Sequence, residues 1–308
     1  MHVDIAGNDM CLTLTQHNVM KIAQTTGGSR TLPVDSISGL QISQNTLVDI
    51  QLITVLLSNQ CDIVVQNKKS HPITLSAFNP MGGSAKLRVV WMNCLADNAC
   101  KMAIAKKLVA AKWHSQRHTI ARLNGNNVTM DTLAVLSPTN PFDNTELSIT
   151  SLLGIEGALS VKYFAALKQY LPPWCHFDKR RRRPATDPFN ALISLTYTLA
   201  TDVITRTLIE AGFDPIFGAL HTPDGYRPSL SCDLIEPYRA YLDYWVITQC
   251  LPQLTESHFN YVNEDGSCKL TKEGKQIYYQ QWGKKRKTFK QGLAAKILML
   301  KKRMINNA

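Results

Sequence analysis

Asn79-Pro-Met-Gly-Gly-Ser84 divides the chain into two kinds of sequence. A proline and paired glycines interrupt regular structure. Hydrophobic periodicity changes from short alternations before this stretch to a helical repeat after it. The reading predicts a linker over 79–85, between a first domain at 1–78 and a second at 86–308.

Upstream, Asp9 to Thr15 and Val34 to Gln41 carry the apolar–polar alternation of half-buried strands, broken by Gly27-Gly28 and Gly39. A helical window at Thr46 to Leu57 has Asn45 or Thr46 as its N-cap and Asn59 just beyond, and Asp62-Ile-Val-Val65 follows as a buried strand. Downstream, Leu87, Val90, Trp91, Cys94 and Leu95 share one helical face, in a pattern that runs towards Arg122 and stops at Asn124-Gly125. A second window spans Leu147 to Tyr170 and closes at Pro172-Pro173. A third opens at Asp187-Pro188, a cap followed by proline at the first helical position, and ends at Ala211-Gly212. A fourth runs from Cys232 to Leu251. The expected fold class is α+β by domain: a small N-terminal β-rich domain followed by a larger all-α domain.

The 308 residues are 44% apolar and 19% charged, which excludes collagenous, mucin-like and wholly disordered chains. No run of about 18 apolar residues suggests a membrane span. Met-His-Val-Asp-Ile-Ala at the start lacks the features of a signal peptide. A soluble, cytoplasmic protein is expected. Eight cysteines are scattered without a CxxC pair, which argues against a disulfide scaffold or a paired zinc site. Most of them read as reduced, buried thiols.

Charge is unevenly distributed. Residues 1–84 carry a net −1 and the remainder +12, a field suited to a polyanion such as nucleic acid or an acidic membrane surface. Lys179-Arg-Arg-Arg-Arg-Pro184 places five cations just before the Asp187 helix, where like-charge repulsion favours exposure and phosphate contact. Lys284 to Lys287 with Lys290, then Lys301 to Arg303, make a basic tail around Trp282 and Phe289. Those two aromatics suit either base stacking or a core.

Walker A, HExxH and GxSxG signatures are missing from the sequence. His114 and His118, four apart, read as a polar helix surface. Glu156 lies in the apolar stretch Leu152-Leu-Gly-Ile-Glu-Gly-Ala158, where a carboxylate needs a partner or a cation. His221 follows Gly212-Phe-Asp-Pro215, and Asp233 and Glu236 are spaced to share a helix face. Carboxylates with one histidine suit Mg²⁺ or Mn²⁺. The same residues also read as a capping Asp233, an exposed Glu236, a core His221 and a Glu156 at a helix edge.

Asp187-Pro-Phe-Asn-Ala-Leu-Ile-Ser-Leu-Thr-Tyr197 resembles the DPxNAxxSxxY segment of CRISPR-associated protein one, the spacer-acquisition endonuclease and integrase. Gly154-Ile-Glu-Gly157, the stretch from Gly212 to His221, and Ser229 to Glu236 agree with the family in order and spacing. The resemblance implies that the second domain is catalytic, with Glu156, His221 and Glu236 holding Mg²⁺ or Mn²⁺ and Asp233 supporting or sharing the site. It implies that Asn190 and Tyr197 line the pocket and, with Lys179, Arg180, Arg181, Arg182 and Arg183, meet DNA; Asn190 also suits a structural hydrogen-bonding role. Where the family often has arginine five residues after the metal-binding glutamate, this chain has Val161, beside Lys162. The implied activity is metal-dependent cleavage of DNA and insertion of short fragments into a CRISPR repeat by attack of a 3′-hydroxyl. The implied partners are protospacer fragments, the repeat, branched DNA and CRISPR-associated protein two, bound by a homodimer within a larger hetero-oligomer. A casposon-type transposase and a non-catalytic DNA-binding assembly protein are the alternative readings.

Overall fold

The computed structural model describes residues 2–5, 9–16, 18–24, 27–37, 39–59, 61–66, 73–75, 85–125, 147–225, 227–262 and 266–306. The chain divides into two units, Met1–Pro80 and Met81–Ala308. The expected linker, through residue 84, lies outside the described residues.

The first unit contains β1 (His2–Ile5), β2 (Met10–Thr15), β3 (Val19–Gln24), β4 (Ser29–Pro33), β5 (Gly39–Ser43), β6 (Leu47–Val48), α1 (Ile50–Ser58), β7 (Asp62–Gln66) and β8 (Ile73–Leu75). One sheet has the order β1-β5-β7-β8 and the other β4-β3-β2-β6. Leu12, Met20, Leu40, Leu52, Leu56 and Ile63 bury their side chains in one core. Two local expectations need correction. Val34–Ser36 is a 3₁₀ turn rather than the start of a strand: Pro33 fixes φ at −61° and the Ile37 N–H closes onto Val34 O. The α1 cap is Asp49, not Asn45 or Thr46, because Leu47 and Val48 pair with Cys11 and Leu12 in the sheet. The Asp49 carboxylate then accepts from Gln51 N at 2.9 Å.

The second unit is mostly helical: α2 (Ala85–Ala96), α3 (Asn98–Leu123), α4 (Ile149–Leu167), α5 (Pro188–Ala211), α6 (Ser229–Trp245) and α7 (Lys272–Asn306). As expected the two units are strand-rich and helical in turn, and the second adds one short antiparallel ribbon, β9 (Phe259–Tyr261) with β10 (Cys268–Leu270). The window starting at Lys86 is two helices, because the Asp97 carboxylate accepts from Ala99 N at 3.0 Å and starts a new one. That turn brings Cys94 and Cys100 within 5.3 Å at Cα, where they form a disulfide. These two thiols are therefore not reduced, while the other six cysteines are free. Burial pushes the Cys175, Cys250 and Cys268 thiols up to about 12.

Asp187 caps α5 and Gly212, at φ 93°, ends it in the left-handed conformation that glycine adopts without strain. The basic tail is part of α7. Its Tyr278, Trp282, Phe289, Leu293 and Ile297 recur at helical spacing and are buried. Trp282 meets Trp245 edge-on at 5.7 Å, so core packing, not base stacking, occupies the aromatics. Among the described residues no helix is long and apolar enough to cross a membrane.

Candidate active site

Helix α6 presents acids at Asp233, Glu236 and Asp243, and each meets a different set of partners. Asp233, fully buried, accepts from the backbone N–H groups of Ala219 at 2.6 Å, Leu220 at 2.9 Å and His221 at 2.9 Å. It also meets His221 Nδ1 at 2.7 Å. With four partners it has little capacity left for a ligand, and it acts by fixing the loop and ring of His221. Gly218 is required beside it, since a Cβ there would lie 2.7 Å from Asp233 Oδ2 and 2.8 Å from the Ser229 carbonyl carbon.

Glu236 lies one turn further on. It accepts from Lys112 Nζ at 2.6 Å and Arg239 Nε at 3.0 Å. Burial pushes its carboxyl up, but the Lys112 ammonium and Arg239 guanidinium outweigh that and hold it at about 2. Glu156, from α4, accepts from the same Lys112 ammonium and from Ser160 Oγ at 3.0 Å. Thus two carboxylates from separate helices converge on one cationic nitrogen supplied by α3, which packs against both.

Asp243 accepts from Tyr197 Oη at 2.5 Å and Tyr163 Oη at 3.0 Å. Burial raises its carboxyl to about 6, against the two tyrosine hydrogen bonds and the nearby Arg180 and Arg239. Both tyrosine hydroxyls are pushed well above their usual range, first by burial and then by the Asp243 charge. Arg239 lies 4.5 Å above the Tyr197 ring, with Arg180 at 5.7 Å. A cavity of about 390 Å³ opens beside these groups. Lys112, Glu156, Lys179, Arg182 and Asp243 contribute polar wall, and Phe164 and Val161 contribute apolar wall.

A family model described as CRISPR associated protein Cas1 matches residues 5–284. The chain belongs to the Cas1 family. It is 30% identical over 234 residues to a CRISPR-associated exonuclease Cas4/endonuclease Cas1 fusion of Leptospira interrogans, covering 73% of this chain. The match spans 43% of that relative's own length. The fold is that of a CAS1 protein from Thermotoga maritima, at TM-score 0.78 and 20% identity over 99% of this chain and 97% of that one. A casposase bound to integration product shares it at TM-score 0.75 and 17% identity, over 100% and 92% of the two chains.

In this Cas1-family chain the basic run is not uniformly exposed. Lys179, Arg181, Arg182 and Arg183 are, but Arg180 turns inward and donates to Asn190 Oδ1 at 2.8 Å. Asn190 has no exposed surface. It donates to Lys179 O at 2.9 Å and Asp187 Oδ2 at 2.5 Å, and accepts from Arg181 N at 3.0 Å. It therefore anchors the basic loop to the start of α5. Tyr197 borders the cavity with its hydroxyl committed to Asp243. His114 and His118 are exposed on α3, and Val161 is 72% exposed.

Lys112, Arg239, Asp243 and Tyr163 escaped the sequence reading. Arg239 and Asp243 follow Glu236 by three and seven residues on the same helix, a spacing that could have suggested them. Lys112 lies in a run of alanine, lysine and tryptophan without any local signal.

Proposed function

We propose that this chain is a divalent-metal-dependent DNA endonuclease and integrase of CRISPR adaptation. The observation that carries this reading is the convergence of Glu156 and Glu236 on a single cation position, in a Cas1-family fold with His221 oriented nearby. The donor set fits Mg²⁺ or Mn²⁺: two carboxylates, and an imidazole whose Nδ1 is held by Asp233, leaving Nε2 as the ligating nitrogen. Among the described residues no three His, Cys, Asp or Glu groups already close on one point, so assembly needs Glu156 and Glu236 freed from Lys112. When bound, the metal supplies Lewis-acid stabilisation of charge on the phosphate and on the departing oxygen.

The remaining work falls to the chain itself. Asp233 fixes the His221 ring and tautomer, Ser160 orients Glu156, and Arg239 holds the second oxygen of Glu236. Lys179 and Arg182 on the cavity wall draw in the phosphodiester. Tyr163 and Tyr197 do not serve as nucleophiles, because both hydroxyls are buried against Asp243 and resist ionisation. For strand transfer we assign the attacking group to the 3′-hydroxyl of the incoming fragment. Its oxygen bonds to a repeat phosphorus as the repeat's own 3′-oxygen leaves, with no covalent enzyme intermediate.

DNA ends and branched DNA are the substrates in this reading. Two copies of the chain act on one repeat, bridged by CRISPR-associated protein two, because one chain offers one ligand set and integration has two ends. The test incubates labelled duplex fragments with a repeat-bearing plasmid, with and without that partner, and maps the junctions. Joining is expected with 3′-hydroxyl ends and should stop with 3′-dideoxy ends that still bind. Joining that survives dideoxy capping overturns the assignment.

A further inference from the structure

Lys112 is 5% exposed on α3, and its ammonium lies between Glu156 and Glu236. A lysine this enclosed needs compensation by charge, and two acids this close need a counter-charge in return. The arrangement meets both needs without any ligand. It also occupies the space between two carboxylates that would hold a divalent cation in the reading above. Lys112 lines the adjoining 390 Å³ cavity, which gives its flexible stem somewhere to go.

We propose that Lys112 is an exchangeable counter-ion for the metal site. A divalent cation enters by displacing the ammonium from Glu156 and Glu236, and the freed side chain moves into the cavity. With Arg239 retained on Glu236, the exchange turns a charge-balanced cluster into one with excess positive charge. Lys112 then joins Lys179 and Arg182 on the wall where a phosphate would lie. The cluster is stable while empty of metal and becomes attractive to a polyanion once the metal has entered. This inference rests on the metal-dependent reading above.

The test is Mn²⁺ binding to the full chain without DNA, followed by the electron paramagnetic resonance of free Mn²⁺ and by calorimetry. Lys112→Met, which keeps the length and removes the charge, should bind Mn²⁺ about tenfold or more tightly than the wild type. It should melt lower without metal and gain more from added Mn²⁺. Lys112→Arg should stay as weak as the wild type or weaker. Acylation of Lys112 in the wild-type protein, read by mass spectrometry, should rise saturably with Mn²⁺, and this arm decides alone if Lys112→Met does not fold. Equal or weaker Mn²⁺ binding by Lys112→Met, or labelling of Lys112 that stays flat while Mn²⁺ saturates the protein, overturns exchange and leaves the metal reading standing. If neither wild type nor Lys112→Met binds Mn²⁺ at millimolar concentration, both fail.

Discussion

His221 and Asp233 meet at 2.7 Å between ring nitrogen and carboxylate oxygen, and the same carboxylate oxygen accepts the His221 backbone N–H at 2.9 Å. One buried side chain on α6 thus sets both the path of the loop and the orientation of its imidazole. Asp233→Asn places an amide NH₂ among N–H donors and should destabilise the protein by about 2–4 kcal/mol. It should weaken Mn²⁺ binding on the order of 10–100-fold. Denaturant unfolding and calorimetric titration check the two effects separately. Unchanged metal affinity would disconnect Asp233 from the site.

Asn190 and the arginines beside it should separate into two phenotypes. Asn190→Ala removes the anchor of the basic loop and should cost about 2–4 kcal/mol of stability along with DNA affinity. Arg181→Ala and Arg183→Ala, both exposed, should leave stability within about 0.5 kcal/mol. Each phosphate contact that they lose should reduce the slope of log K against log salt by about 0.9. Fluorescence anisotropy over a salt series measures it. A slope that stays fixed in the double variant would move the DNA path elsewhere.

Much of the fold was legible because its signals are local. Asp187, Pro188 and Gly212 mark both ends of α5 by cap chemistry alone, and the proline–glycine stretch at 79–84 marks a change of periodicity. Errors arose where tertiary pairing overrode a local pattern. Leu47 and Val48 read as helix but complete a sheet edge, and Asp97 interrupts an otherwise continuous helical face. At the site, the spacing of Glu156, His221, Asp233 and Glu236 was visible, but their division of labour was not. That Asp233 faces four donors depends on the 219–221 loop folding back onto α6, and that Glu156 and Glu236 share an ammonium depends on α3 packing against α4 and α6. No periodicity in the sequence encodes such a contact.

Asp243 should leave a signature in the pH dependence of stability. Its carboxyl is raised from 3.8 to about 6, so the folded state binds its proton more tightly than the unfolded chain. The contribution of Asp243 is therefore greatest below about pH 4 and is lost as pH rises through about 6, by a total on the order of 3 kcal/mol. Glu236 acts in the opposite sense: held at about 2, it adds stability above its ordinary value of 4.5 that disappears as pH falls towards 2. Asp243→Asn should remove the first dependence and leave the second. Melting curves of both proteins from pH 4 to 7 should show the wild type losing ground to Asp243→Asn as pH rises. Parallel curves would mean that Asp243 titrates normally.

Glu156, His221 and Glu236 are proposed to form a metal-dependent DNA-cutting site. The most direct measurement is cleavage of labelled branched DNA in Mn²⁺ by the wild type and by Glu156→Gln, with DNA binding followed in the same samples. The wild type should cleave in Mn²⁺, and chelator should abolish the cleavage. Glu156→Gln should lose at least about a hundredfold, with binding retained because Lys and Arg contacts supply it. Cleavage by Glu156→Gln at the wild-type rate, or wild-type cleavage indifferent to chelator, would contradict it.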